Sequence, residues 1–108
     1  MLLTHNVFFA LKDKSDAAKQ RLLDACRKYL TNHAGTVFFA CGTLAEALNR
    51  PVNVRDFDVG LHIVFASQAA HDTYQVAERH EQFIHENKDN WASVRVFDTL
   101  TERWPAGA

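Results

Sequence analysis

Three of the six histidines in this 108-residue chain, and one of its two tyrosines, fall within HDTYQVAERHEQFIH, residues 71–85. A neutral imidazole takes a proton near pH 7, and a phenol within hydrogen-bond reach can donate or hold one. Tyr74 and His80 therefore form a candidate proton-transfer pair. Six residues turn an unbroken helix through ~600°, so the two share no helix face. They meet only if the helix bends or ends between them. The bland alternative, a packed tyrosine beside a surface or capping histidine, fits the spacing as well. His5 is a second candidate, on a strand face with Val7 and Phe9. Alone on such a face a histidine is more often a satisfied core residue. His62 lies on the opposite strand face from Phe65, where it reads as an interface residue. His71 and His85 read as surface residues of the helical segments.

Metal binding is read as absent. Glu81 and His85 stand at i, i+4 and could share a helix face, but no second well-spaced pair completes a coordination set. HExxH does not occur, since His80–Glu81 is followed by Phe83 and Ile84. With four glycines there is no GxGxxG or P-loop, and no serine sits in a nucleophile elbow. No organic cofactor is expected.

The rest of the chain must position these groups. Its length fits one domain with one core. Hydrophobic residues are 47% and charged residues 23% of the sequence, which argues against disorder. The formal net charge is −1 with scattered Lys and Arg, so no basic stripe exists to neutralise phosphates. MLLTHNVFF lacks the pattern of a signal peptide, and no apolar run approaches the ~20 residues of a membrane helix. Cys26 and Cys41 sit in apolar segments without CxxC spacing and read as reduced thiols. A cytoplasmic protein, with neither nucleic acid nor membrane as partner, is expected.

Thr4–Leu11 is rich in β-branched and aromatic residues and reads as a strand. Ser15 is an N-cap, with Asp16 placed to suit the helix dipole. Ala18, Leu22, Cys26, Tyr29 and Leu30 then recur at helical spacing, and Gly35 follows the helix end. Thr36–Gly42 is a second strand, with Val37, Phe39 and Cys41 on one face and Phe38 and Ala40 on the other. Residues 43–55 are ambiguous, and Pro51 breaks any helix there. Phe57–Ala66 is the clearest strand, with Phe57, Val59, Leu61, Ile63 and Phe65 on one face. Ser67 caps a second helix carrying Ala70, Tyr74 and Ala77 inward. A bend near His80 precedes a helical piece bearing Phe83 and Ile84. Trp91–Asp98 is the last strand, so the domain spans residues 1–98 and a tail runs over 99–108.

The order β-α-β-β-α-β is the ferredoxin-like pattern, an α+β fold with a four-stranded antiparallel sheet. Two helices cover one face of such a sheet, yet Phe8, Ala10, Phe38 and Ala40 make the other face apolar as well. A homodimer packed sheet against sheet resolves this. The same order raises an RNA-binding RRM, but Asp58-Val59-Gly60-Leu61-His62 is acidic where that motif is basic and lacks its stacking aromatics.

His5 with its strand ending in Leu11-Lys12, the second strand ending in Gly42, FDVGLHIVF, and Tyr74 with His80 and Phe83 together resemble the stress-responsive A/B barrel (Dabb) domain over residues 3–98. The resemblance implies a dimeric α/β barrel of two ferredoxin-like subunits and, for most members, an undefined biochemical role. A plant branch includes a cofactor-free polyketide cyclase, and the resemblance maps its pocket tyrosine and histidine onto Tyr74 and His80 and a first-strand histidine onto His5. Departures are plain: Ala77-Glu78 replaces a frequent His-Pro, and Val59 and Cys26 stand where the cyclase has a histidine and a tyrosine.

Three functions follow as alternatives. One is a small stress-response protein whose cluster is structural or binds a small hydrophobic or aromatic ligand. Another is a cofactor-free enzyme, cyclase-like or monooxygenase-like, in which His80 abstracts a proton beside a carbonyl while Tyr74 and His5 assist. Phe9, Leu61, Ile63 and Phe83 would line its pocket. The third is an interaction module whose open sheet recruits a different subunit.

Overall fold

The computed structural model describes residues 1–105, so the last three residues of the expected tail lie outside it. The elements run β1 (Leu2–Leu11), α1 (Asp16–Leu30), β2 (Thr36–Thr43), β3 (Val59–Phe65), α2 (Gln68–Gln75), α3 (Glu78–Asn87) and β4 (Trp91–Thr101), with a single 3₁₀ turn at Lys88–Asn90. The four strands form one sheet in the order β2-β3-β1-β4, and every neighbouring pair is antiparallel. This is the ferredoxin-like arrangement that the sequence order predicts. Both predicted caps form: Ser15 Oγ accepts from the Ala18 N–H at 3.2 Å and Ser67 Oγ from the Ala70 N–H at 3.1 Å.

Alternation along β1 is strict. Leu3, His5, Val7, Phe9 and Leu11 are buried beneath the helices, and the residues between them face the open side. Val59, Leu61, Ile63 and Phe65 of β3 continue the buried row. The helix α1 closes it with Leu22, Cys26, Tyr29 and Leu30. Burying each large side chain of this set contributes roughly 1.5–3 kcal/mol.

Several boundaries differ from the sequence reading. Phe57 does not extend the β3 row, because its ring packs on Phe8 of the open face, 4.9 Å between centroids. Val37 leaves its expected row at a register shift between Thr36 and Phe38. The helical segment breaks at Val76–Ala77, before His80 rather than at it, and Ala77 becomes the N-cap of α3. Strand β4 continues to Thr101, so Thr99–Thr101, expected in the tail, pair with Leu2–Thr4.

A second register shift, between Ala10 and Leu11, sets Trp91 opposite Leu11. Plain alternation would place Trp91 with Ser93, Arg95 and Phe97 on the open side. The bulge instead brings it against Phe9, 5.1 Å between ring centroids.

The chain before β3 is anchored by Asp58. Its backbone N–H donates to the Phe9 carbonyl at 2.8 Å, and its carboxylate accepts from the Leu11 N–H and the Lys14 ammonium, each at 2.8 Å. Burial pushes this carboxyl up, but the bonds from Lys14 and Leu11 outweigh it and hold the group below its ordinary value. Gly35, at φ +83°, lets the chain turn into β2 beneath α2, where an added Cβ would lie 2.5 Å from that of Ala70.

Asp58→Ala should lower stability by about 1.5–3 kcal/mol, the usual worth of a charge-assisted buried bond. Urea unfolding at pH 7 measures this. Because the folded carboxyl is the stronger acid, its contribution is present above the unfolded pKa and lost as pH falls through the folded one.

Candidate functional site

The helices stop short of β4. Helix α1 lies over β2 and β3, and α2 over β1 and β3. The helix-side row of β4, Val94, Val96, Asp98 and Leu100, therefore remains partly open to solvent, with Val96 half exposed. Between this row and α2–α3 runs a cleft of about 380 Å³. Phe9, Leu61, Phe83, Ile84 and Trp91 form its apolar end, and His5, His71, Tyr74, His80 and Asp98 its polar end.

Tyr74 is 2% exposed and forms the centre of the polar end. Its ring packs on Phe65, on His33 edge-on and on His80 edge-on, with centroids 4.9, 5.0 and 4.7 Å away. The chain break at Val76–Ala77 is what allows the Tyr74–His80 contact, since α3 restarts the helical phase. The two meet ring to ring, with no hydroxyl–imidazole hydrogen bond between them. Burial, and next the nearby Cys26, pushes the Tyr74 phenol up. It is a proton donor at neutral pH and not a base.

His80 occupies the first turn of α3. Burial, then His5, His33 and His71, pushes its imidazole down to about 4. Its Nδ1 is buried without a hydrogen-bond partner, as is the indole nitrogen of Trp91. Leaving such an atom unpaired costs about 1–3 kcal/mol.

His5, from the buried face of β1, places Nδ1 2.5 Å from Asp98 Oδ1, its cross-strand partner on β4. Burial lowers the His5 imidazole, and the Asp98 bond offsets only part of that. His71 is not a surface residue, contrary to expectation. It sits one turn before Tyr74 on α2, its ring 5.0 Å from that of His5, and its side chain is 13% exposed. Its Nδ1 is 3.1 Å from Asp72 Oδ1, and the Gln75 side-chain nitrogen is 3.3 Å from its Nε2. The amide must donate there, which makes His71 the Nδ1–H tautomer with a lone pair on Nε2.

Of the predicted pocket residues, Phe9, Leu61 and Phe83 reach the cleft. Ile63 does not: it is fully buried between His5 on β1 and Phe39 on β2. His62 faces the open side, as expected, with Nδ1 2.7 Å from Asn6 Oδ1. Glu81 and His85 are exposed on α3. Cys26 and Cys41 are free thiols, the first fully buried. The residues missed in the sequence are His71, Asp98, Trp91 and His33. An alternation signal existed for Asp98 alone, which shares its strand face with Val94 and Val96.

The fold is that of ferredoxin-like proteins. A dabb family protein from Mesorhizobium loti superposes with TM-score 0.77 at 24% identity, over 93% of this chain and 96% of that one. A dimeric ferredoxin-like protein of unknown function from Thermobifida fusca gives 0.76 at 13%, over 94% and 92%. Hydroxynitrile lyase from Passiflora edulis gives 0.74 at 17%, over 96% and 97%. No curated protein sequence matches significantly. More narrowly, residues 3–100 match the Stress Responsive A/B Barrel Domain, Dabb, and the chain belongs to that family. Among the described residues no helix is long and apolar enough to cross a membrane.

His80 gives a direct test of this geometry. With a folded pKa of about 4 against an ordinary 6.5, the unfolded chain binds the proton first. Stability should therefore fall as pH drops below 6.5 and level off near the folded value. His80→Asn should make that fall shallower in urea titrations at pH 7.5 and 5. Equal slopes for variant and parent would mean that His80 is not held neutral.

Proposed function

We propose that the protein is a homodimer, joined through its open sheet face, whose cleft binds a small, mainly apolar or aromatic molecule carrying one hydrogen-bonding group. The observation that carries this reading is the cleft itself, largely apolar along Phe9, Leu61, Phe83 and Trp91 and bounded at its polar end by Tyr74 and by His80, whose Nδ1 is buried without a partner. A site that leaves such an atom unsatisfied rewards a ligand that pairs with it. The dimer rests on the open face, where Phe8 meets Phe57, His62 and Phe97, with Phe38 and Phe97 more than half exposed. The cell interior, where Cys26 and Cys41 stay reduced, is the proposed location.

Proton transfer beside a carbonyl, without an organic cofactor, is the second reading. Tyr74 would donate to a developing oxyanion and His80 would accept the proton, with His5 in support. The adjacency of the Tyr74 and His80 rings favours it, and a hydroxynitrile lyase is built on this fold. A base with a pKa near 4 is weak at neutral pH, however, so binding is the better supported function.

Trp91 lines the cleft and the other tryptophan, Trp104, is exposed. In a Trp104→Phe background, 1-naphthol should change Trp91 fluorescence saturably and bind more tightly than naphthalene. The difference should be about fivefold, one hydrogen bond, and should vanish in His80→Phe. No saturable response to either compound would overturn the reading. Sedimentation should show twice the chain mass for the parent and one chain mass for Phe97→Asp.

A further inference from the structure

We propose that His5, His71 and Asp98 form a binding site for one divalent transition-metal ion of the zinc or cobalt class, at the polar end of the cleft. The three side chains come from β1, α2 and β4, and one donor atom from each lies within 4.8 Å of the other two. Two imidazoles and a carboxylate on one side of an ion, with its remaining positions open, is a donor set that zinc and non-haem iron sites share. Ligands held at about 2.0–2.1 Å from a tetrahedral ion stand about 3.3 Å apart. Donor atoms within 4.8 Å of one another reach that spacing by side-chain movements of roughly 1.5 Å or less, with the 2.5 Å His5–Asp98 hydrogen bond opening as the ion takes its place.

The surroundings favour a cation. Asp98 is the only formally charged residue in the cleft walls, which hold no lysine or arginine among the described residues. Two neutral imidazoles and one carboxylate leave a single negative charge where a dication would sit. Around His71 the outer arrangement is already that of a metal ligand. Its Nδ1–H faces the Asp72 carboxylate at 3.1 Å, and the lone pair on Nε2, which accepts from the Gln75 amide at 3.3 Å, passes to the ion when that amide turns away. A carboxylate behind a ligating imidazole fixes the tautomer and raises its basicity. His5 is backed differently, by Phe65 and Tyr74 against its ring. These hold it on the core side while Asp98, whose side chain is 39% exposed, can turn.

The site is independent of the organic ligand proposed above. It needs neither His80 nor the apolar end, and the open positions on the ion would lie on the side toward the cleft. The sequence spacing hides it, because the donors stand 66 and 27 residues apart and no two share a helix or strand.

The full chain, freed of metal with a chelator and dialysed, should be titrated with Co²⁺ and followed by its visible absorption. It should then be titrated with Zn²⁺ and followed by imidazole ¹⁵N shifts. One ion per chain is expected, with shifts confined to His5 and His71 among the six histidines. His71→Ala and Asp98→Asn should each weaken binding roughly tenfold or more, and His85→Ala should leave it unchanged. Asp98→Asn keeps an oxygen for the His5 bond, so it separates loss of the anionic donor from loss of fold. Sub-stoichiometric binding, shifts at other histidines, or affinity unmoved by both substitutions would overturn the proposal. The naphthol titration in the absence of metal distinguishes this failure from failure of the ligand reading.

Discussion

A histidine on the buried face of a central strand must find its hydrogen bond away from bulk water, and His5 finds it in Asp98 across the β1–β4 pair. That requirement fixes much around it. It sets the β1–β4 register, because a slip of one residue would send Asp98 to the open face and leave a buried imidazole unpaired. It keeps a carboxylate on an edge strand pointed toward the helices, where the neighbouring positions are Val96 and Leu100. It also gives α2 a polar surface to pack on, which explains why His71 and Tyr74, one turn apart, can both face inward.

The cleft exists because the sheet is wider than its helical cover. Helices α1 and α2 sit over β2, β3 and β1, and among the described residues α3 reaches β4 at the strand's first residue, where Phe83 packs on Trp91. An edge strand with apolar residues on both faces is an invitation to pair wrongly. Here the two faces are set to different uses. One side, with Phe97, belongs to the proposed dimer contact, and the other, with Val94 and Val96, forms a wall of the cleft.

Much of the fold was legible in the sequence because it rests on period-two and 3.6-residue patterns that long segments repeat. The caps at Ser15 and Ser67, the strand order and the apolar open face all follow from such local signals. The site was legible only in part. Tyr74 and His80 cannot be paired by helical phase, since the contact depends on a break that resets it, and the family resemblance was needed to single them out. Trp91 reaches the cleft through a one-residue bulge that alternation cannot foresee. Ile63 shares the face of the cleft residues yet lies buried away from the cleft, because whether a face opens on a cavity depends on how far the helices extend. His71 and Asp98 come together across elements far apart in sequence, where no spacing rule operates.

The position of α3 is set less by the sheet than by the end of another helix. Arg79, beside His80, donates to the carbonyls of Thr31 at 2.9 Å and Lys28 at 2.6 Å, and Tyr29 donates to Glu86 at 2.5 Å. The last turn of α1 thus acts as a gauge block for the cleft. One residue more or less in α1 would move those carbonyls by about 1.5 Å along the axis and rotate them by ~100°. The far wall would shift with them, although no residue lining the cleft had changed.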